Sequence, residues 1–344
     1  MRILKLGTST TTIKFGKLED AVSELPRYSG LLVCDENTLR YAREFRTPLV
    51  EIASGETNKR WEGAQKILCA ALEHELTRDG VIAAIGGGVL CDMSGFAASV
   101  YMRGCRLVLV PTTLLAMIDA SIGGKTGIDF EGYKNLIGTF YPAETVHISV
   151  DVLSTLAQRQ YMSGLVEAIK HAMLGDAELL AIMTERRNDI VERAPELIER
   201  IVMGSLDVKG DIVERDLEEA GIRAHLNLGH TFGHALESIT GFARFTHGEA
   251  VAWGIGRALK LGLLLGITDD PYARSMWRLL ERYGFELGDV GVAPQGVLDL
   301  MKTDKKRKEN RLRCIVQRRQ GETEIVEPDD SGVMTVLSDH SRLE

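Results

Sequence analysis

Short, largely apolar runs alternate with helical stretches through the first part of the chain, and this alternation constrains the fold more than any other feature. Leu31–Cys34, Val81–Ile85, Leu107–Val110 and Val146–Val150 are each bounded by Gly, Pro, Asp or Thr. Apolar runs of that length, with little polar alternation, read as strands buried on both faces. Between two of them, Trp61–Leu76 sets Ala64, Ile67, Leu68, Ala71, Leu72 and Leu76 on one face of a helix. Strands that alternate with helices pair in parallel through crossover connections, so residues 1–150 are expected to form an open α/β sheet.

After Asp151 the character changes. Helical patterns run through Gln158–Leu174, Ala177–Val191, Pro195–Val213, His230–Ile239 and Glu249–Leu265, and strand signals nearly vanish until Leu312–Val316. The chain of 344 residues is therefore expected to hold two domains, 1–150 and a largely helical 151–344. Lys plus Arg number 41 against 49 Asp plus Glu, a net charge of −8. That balance disfavours a nucleic-acid binder, which needs a cationic surface. The basic run Lys302–Arg313 then reads as a solvated face. No apolar run approaches the ~20 residues of a membrane span, and the first residues lack the apolar stretch of a secretion signal. The five cysteines are scattered, without zinc-ribbon spacing, which points to reduced thiols in a cytoplasmic protein.

Gly86-Gly87-Gly88 closes one expected strand and opens a helix. Backbone without Cβ atoms at such a turn lets a phosphate approach amide groups, although a plain tight turn fits equally. Pro111-Thr112-Thr113 follows the next strand, again at a carboxyl edge where open sheets bind ligands. Asp35 and Asn37 sit just past Leu31–Cys34, where a carboxylate accepts from a ribose or simply caps a turn. Gly123-Gly124-Lys125-Thr126-Gly127 looks like a shortened phosphate loop, and Lys125 is a candidate anion ligand.

In the second half, His230 and His234 lie four residues apart on one helical face, and His247 follows shortly after. A catalytic zinc usually takes three protein ligands and keeps one open position. Spacing alone favours His230 and His234 as a ligand pair. Glu167 is flanked by apolar residues on a helix, so it should be paired or metal-bound, with Lys170 as one available partner. Thr231 stands where the protease motif H-E-x-x-H requires glutamate, which excludes that motif.

Taken together, Gly86–Asp92, Tyr101–Gly104, Pro111–Thr113, Ser121–Gly127, Lys134-Asn135, Leu226–His234 and His247–Ala250 resemble the 3-dehydroquinate synthase family, in order, from about Asp35 to Lys306. The resemblance implies a Rossmann-like parallel-sheet domain followed by a largely α-helical metal-binding domain. It implies conversion of 3-deoxy-D-arabino-heptulosonate 7-phosphate to 3-dehydroquinate and phosphate, in the shikimate route to aromatic amino acids. In that family the reaction runs by transient oxidation with NAD, phosphate elimination, re-reduction and intramolecular aldol closure, with a divalent metal, usually zinc and in some cases cobalt.

Carried over residue by residue, the resemblance makes Glu167, His230 and His247 the metal ligands and His234 an active-site residue that is not a ligand. Asp35, Asn37, Glu56, Lys59, Gly87, Gly88, Asp92, Thr112, Thr113 and Lys134 match NAD contacts. Asp119, Lys125, Asn135, Lys170, Lys209, Arg223 and Asn227 match substrate contacts, as does one of Lys305 and Lys306. Arg103 matches a phosphate contact made across a homodimer. Lys125, Asn135, Lys170, Arg223 and His234 carry the catalytic roles. Asp129 departs from the pattern, standing where Asn is usual. The rival readings are another sugar-phosphate cyclase and a metal-dependent NAD polyol dehydrogenase. The second has no need of the cations Lys125, Lys209 and Arg223.

Overall fold

The computed structural model describes residues 1–24, 30–45, 47–303 and 312–344. It divides into two compact units, Met1–Ala157 with Lys209–Glu218, and Gln158–Val208 with Glu219–Glu344.

The first unit is built on a seven-stranded sheet. In chain order its strands are β1 (Arg2–Leu6), β2 (Ser9–Phe15), β3 (Gly30–Cys34), β4 (Leu49–Glu51), β5 (Val81–Gly86) and β6 (Arg106–Pro111), followed by a hairpin of β7 (Lys125–Phe130) and β8 (Tyr133–Phe140), then β9 (Thr145–Ile148). The spatial order is β1-β2-β9-β6-β5-β3-β4, all parallel except the β1–β2 hairpin, while β7 and β8 pair only with each other. All six residues of β5 are buried, as expected for a central parallel strand with both faces covered. Helices α1 (Leu18–Glu24), α2 (Leu39–Ala42), α3 (Trp61–Glu73) and α4 (Gly88–Val100) complete it. The apolar stripe expected over Trp61–Leu76 forms α3 but stops at Glu73. Glu75 adopts a left-handed φ of 51°, and the Leu76 amide turns back to the Ala71 carbonyl at 2.9 Å, which closes the helix end.

The second unit is mostly helical: α5 (Gln158–Gly175), α6 (Ala177–Glu185), α7 (Arg187–Val191), α8 (Pro195–Arg215), α9 (His230–Ile239), α10 (His247–Leu264), α11 (Asp270–Arg282), α12 (Pro294–Thr303) and α13 (Asp330–Ser338). The hairpin of β10 (Cys314–Arg319) and β11 (Glu322–Val326) accompanies them. The single helix expected over Ala177–Val191 is two, because Arg186 leaves helical geometry (φ −106°, ψ 26°) and its Nε bonds Asp189 Oδ2 at 2.7 Å. The core of this unit gathers Phe232, Leu236, Trp253, Leu261, Val297 and Val316. Among the described residues no helix is long and apolar enough to cross a membrane.

Candidate active site and metal centre

Three helices of the second unit meet where glycine removes the side chain between them. A Cβ on Gly248 would lie 2.2 Å from the Ser163 carbonyl oxygen, and one on Gly233 would lie 3.0 Å from that of Ala250. The first contact brings the start of α10 onto α5, and the second brings α9 onto α10. Gly248 also donates its N–H to Ser163 Oγ at 2.9 Å. Thr246 and Glu249 form a reciprocal capping box that fixes where α10 begins, with His247 as its first residue.

This packing brings Glu167 of α5, His230 of α9 and His247 of α10 together, with one ligand atom from each inside a mutual 4.8 Å. Glu167 is fully buried, and a bare carboxylate there would cost several kcal/mol. Its two oxygens have separate surroundings. Oε2 accepts from Lys170 Nζ, itself buried. Oε1 has no hydrogen bond, and stands 3.7 Å from His230 Nε2 and 3.8 Å from His247 Nε2. The opposite ring nitrogens are turned elsewhere: His230 Nδ1 is 3.3 Å from the Leu228 carbonyl, and His247 Nδ1 is 3.4 Å from Glu237 Oε2. Donation from Nδ1 leaves the Nε2 lone pairs directed at the orphaned oxygen, which is the arrangement that fits a divalent cation. An O/N/N set of this kind suits zinc, and imidazole with carboxylate also accepts cobalt.

His234 falls in a different group. It is exposed, its ring lies 5.2 Å from that of His230, and the ligand-type group it joins is that of Glu237 and His247. Glu237 is the residue that reading the sequence missed; its only signal was a carboxylate on the buried face of α9, between Leu236 and Ser238. Glu237→Ala is expected to weaken metal binding by about 10- to 100-fold, because an oriented imidazole is lost. Competition with a chelator measures it, and unchanged affinity would reject the orienting role.

The first unit carries a second constellation. Lys59 Nζ donates to Asp92 Oδ2 at 2.6 Å and to Asn135 Oδ1 at 2.5 Å, and Lys134 lies 3.3 Å from Glu56. Burial pulls the Lys59 ammonium down, but Asp92, Glu56 and Asp129 outweigh it and hold its pKa above the ordinary lysine value. Asp129 ties the same network together: its N–H donates to the Lys59 carbonyl at 2.7 Å, and its Oδ1 accepts from the Asn135 N–H at 2.8 Å. Asn135 keeps a left-handed φ of 51°. Lys125 opens β7 as an exposed strand residue, so Lys125–Gly127 of the loop-like run belong to a hairpin that Gly123 and Gly124 lead into. The tip of that hairpin, Glu131-Gly132, has positive φ at both positions (49° and 81°), the requirement of the tight turn that suits twisted strands.

At the carboxyl edge of the sheet, Gly87 caps α4 and Gly88 begins it. A Cβ on Gly88 would come within 3.1 Å of Ala120 Cβ, so the backbone there is approached closely. Buried Thr112 donates its N–H to the Gly86 carbonyl at 2.9 Å, and Thr113 Oγ1 accepts from the Ala116 N–H at 3.1 Å. Asp35 Oδ1 accepts from the N–H groups of Asn37 and Thr38, at 3.0 and 2.9 Å, so this oxygen caps a turn. Asp119, on the single helical turn Ala116–Ala120, accepts from Lys209 Nζ through its carboxylate and, at 2.6 Å, its carbonyl.

Arg103 is exposed, and both it and Met102 have left-handed backbones (φ 65° and 49°), a strain that concentrates at functional positions. In the second unit, Arg223 is buried on the turn Ile222–Asn227, and Asn227 Nδ2 donates to Glu219 Oε1 at 2.5 Å. Lys305 and Lys306, with Asp304 before them, lie outside the described residues.

Residues 49–163 match the family model described as 3-dehydroquinate synthase N-terminal, and residues 164–307 match 3-dehydroquinate synthase C-terminal. The chain is 39% identical over 286 residues to the 3-dehydroquinate synthase of Caldanaerobacter subterraneus subsp. tengcongensis, covering 83% of this chain and 80% of that one. Two solved structures are similar in fold. One is a 2-deoxy-scyllo-inosose synthase complexed with carbaglucose-6-phosphate, NAD+ and Co2+ (TM-score 0.87, 23% identity, 98% of both chains). The other is the 2-epi-5-epi-valiolone synthase of Streptomyces hygroscopicus subsp. jinggangensis with NAD+ and Zn2+ bound (TM-score 0.87, 24% identity, 98% of this chain and 97% of that one).

Proposed function

Because the chain belongs to the 3-dehydroquinate synthase family, we propose that it converts 3-deoxy-D-arabino-heptulosonate 7-phosphate to 3-dehydroquinate and phosphate, within the shikimate route. The observation that carries the reading is the buried Glu167 Oε1, without a hydrogen bond and facing two imidazole nitrogens, in a chain of this family. NAD supplies a hydride acceptor that is restored in each turnover, and zinc or cobalt polarises the reacting hydroxyl.

The chain's own residues hold and orient. Glu167, His230 and His247 bind the metal, and Lys170 keeps the second oxygen of Glu167 occupied. Asp35, Asn37, Gly87, Gly88, Thr112 and Thr113 receive the cofactor, and the Glu56–Lys59–Asp92–Lys134–Asn135 network fixes its reacting end. Lys59 remains charged within that network. A substrate with a carboxylate and a phosphate needs cations at both ends, and Lys125, Lys209 and Arg223 provide them. Asp119 holds the Lys209 ammonium in position. Asn227 orients the substrate, and His234, exposed beside the metal ligands, is the group placed to take or give a proton. One of Lys305 and Lys306 completes the substrate contacts. Positioning of this kind supplies much of the acceleration in an intramolecular closure.

The assembly proposed is a homodimer in which Arg103 of one protomer reaches the phosphate held by its partner. The strained, exposed Arg103 supports this, and light scattering tests it. Five free cysteines, four of them buried, support a cytoplasmic location.

The decisive assay supplies the heptulosonate phosphate with metal and a catalytic amount of NAD. Phosphate should appear in equal amount to carbocycle, without accumulation of NADH. Deuterium on the carbinol carbon should return to that carbon. Stoichiometric NADH without phosphate would establish the polyol dehydrogenase instead, and phosphate release with a different ring would establish another cyclase.

A further inference from the structure

One face of the seven-stranded sheet changes character part-way across. Register places Ala83 beside Val108, Ile85 beside Val110, and Val108 beside Thr145. The columns on β3, β5 and β6 are apolar and join Ala21 of α1 in one buried cluster. On β9 and β2 the same face presents Thr145 and His147, in register with Thr12 and Lys14. Ser149 continues the alternation in extended backbone (φ −118°, ψ 107°). The apolar core therefore ends at β6, and a cavity of about 370 Å³ lies beyond it, at the carboxyl ends of β2 and β9. Carboxyl ends of parallel strands are where open sheets take ligands, and the volume is within the ligand-pocket range.

The lining is amphipathic. Phe15, Val110 and Ile148 give it an apolar side, and Lys14, Lys17 and His147 give it cationic and hydrogen-bonding groups. Ser149 is 4% exposed, and its hydroxyl makes no hydrogen bond although it precedes a helical turn that it could cap. A buried hydroxyl left so carries an uncompensated desolvation cost, which a ligand atom would recover. The acid in the lining, Asp20, accepts from the Lys17 N–H at 2.9 Å. None of these side chains is among the residues assigned above to NAD, metal or substrate. We propose that this pocket is a separate binding site for a small organic anion, with a carboxylate or phosphate head toward Lys14, Lys17 and Ser149 and a compact apolar body against Phe15 and Val110.

Benzoate and phenyl phosphate are the probes, titrated into the full chain by calorimetry, first without NAD and then with NAD saturating. Saturable binding of either is expected, and the tighter of the two identifies the head group. Lys14→Ala/Lys17→Ala should weaken it at least about tenfold, from the loss of two charge-assisted contacts, while its melting temperature stays near that of the parent. Binding is read without turnover, so the result does not depend on the reaction assigned above. Absence of saturation up to about 10 mM, unchanged affinity in the double variant, or displacement of the probes by NAD would each overturn the proposal.

Discussion

Glu167→Gln is expected to purify without stoichiometric metal and to lose on the order of 10³-fold in turnover. Several kcal/mol of charge stabilisation disappear with the ion, at tenfold per ~1.36 kcal/mol. The glutamine keeps the volume of the side chain and still offers an oxygen to Lys170, so the helix packing around Gly248 should survive. Glu167→Ala is a harsher test. It leaves the Lys170 ammonium buried without its carboxylate, and breaking a buried pair in this way costs about 3–5 kcal/mol. Elemental analysis of both proteins, beside their melting curves, separates loss of metal from loss of fold. A Glu167→Gln protein that retains a full equivalent of metal would remove Glu167 from the ligand set.

Arg257→Met is expected to destabilise the second unit by about 3–5 kcal/mol, the range for breaking a buried charged network. The guanidinium is fully buried in α10, and burial pushes its pKa down to about 10. It donates to the carbonyls of Val336, Asp339 and Leu287, and lies 5.2 Å from the Trp253 ring. One turn further on, Lys260 donates to the carbonyls of Asp339 and Ser341, both at 2.7 Å. Methionine fills part of the volume but takes the side-chain donor from the Val336 and Leu287 carbonyls, while the Asp339 carbonyl keeps Lys260. At roughly 2–4 °C per kcal/mol for a unit of 150–250 residues, the melting temperature should fall by about 6–20 °C. A change of less than about 2 °C would show that water satisfies those carbonyls unaided.

The parallel sheet was legible because β3, β5 and β6 are runs that only a doubly covered strand tolerates. The β1–β2 hairpin was not. Its second strand opens with Ser9 and three threonines, Thr10 to Thr12, and alternates only over Ile13-Lys14-Phe15, too short a stretch to read as a strand. β7 and β8 were hidden for another reason: they form a ribbon outside the main sheet, their exposed residues include Phe130, Tyr133 and Phe140, and the glycines leading into β7 imitate a phosphate loop.

The site was readable in the same uneven way. Helical spacing puts His230 and His234 on one face, but it holds no information about where α5 and α10 lie. That depends on Gly233 and Gly248, whose missing side chains bring backbones into contact. The Leu228 carbonyl and Glu237, at the Nδ1 atoms, turn the Nε2 atoms of His230 and His247 toward Glu167. The capping of a turn by Asp35 was one of two open readings, and a single strand-end carboxylate cannot separate them without its hydrogen bonds.

Helix α8 belongs to both units: Pro195–Val208 goes with the second and Lys209–Arg215 with the first. A ribosome delivers the chain from its N-terminus, and domains generally fold as they emerge. When Ala157 has left the tunnel the seven strands are all present, yet the first unit still lacks Lys209, whose ammonium holds Asp119, and Glu214, whose carboxylate accepts from the Lys5 N–H at 2.6 Å. All of Gln158–Val208 must be synthesised before those residues appear. The first unit can therefore reach its native contacts only after part of the second exists, and no single cut in the gene separates the two intact.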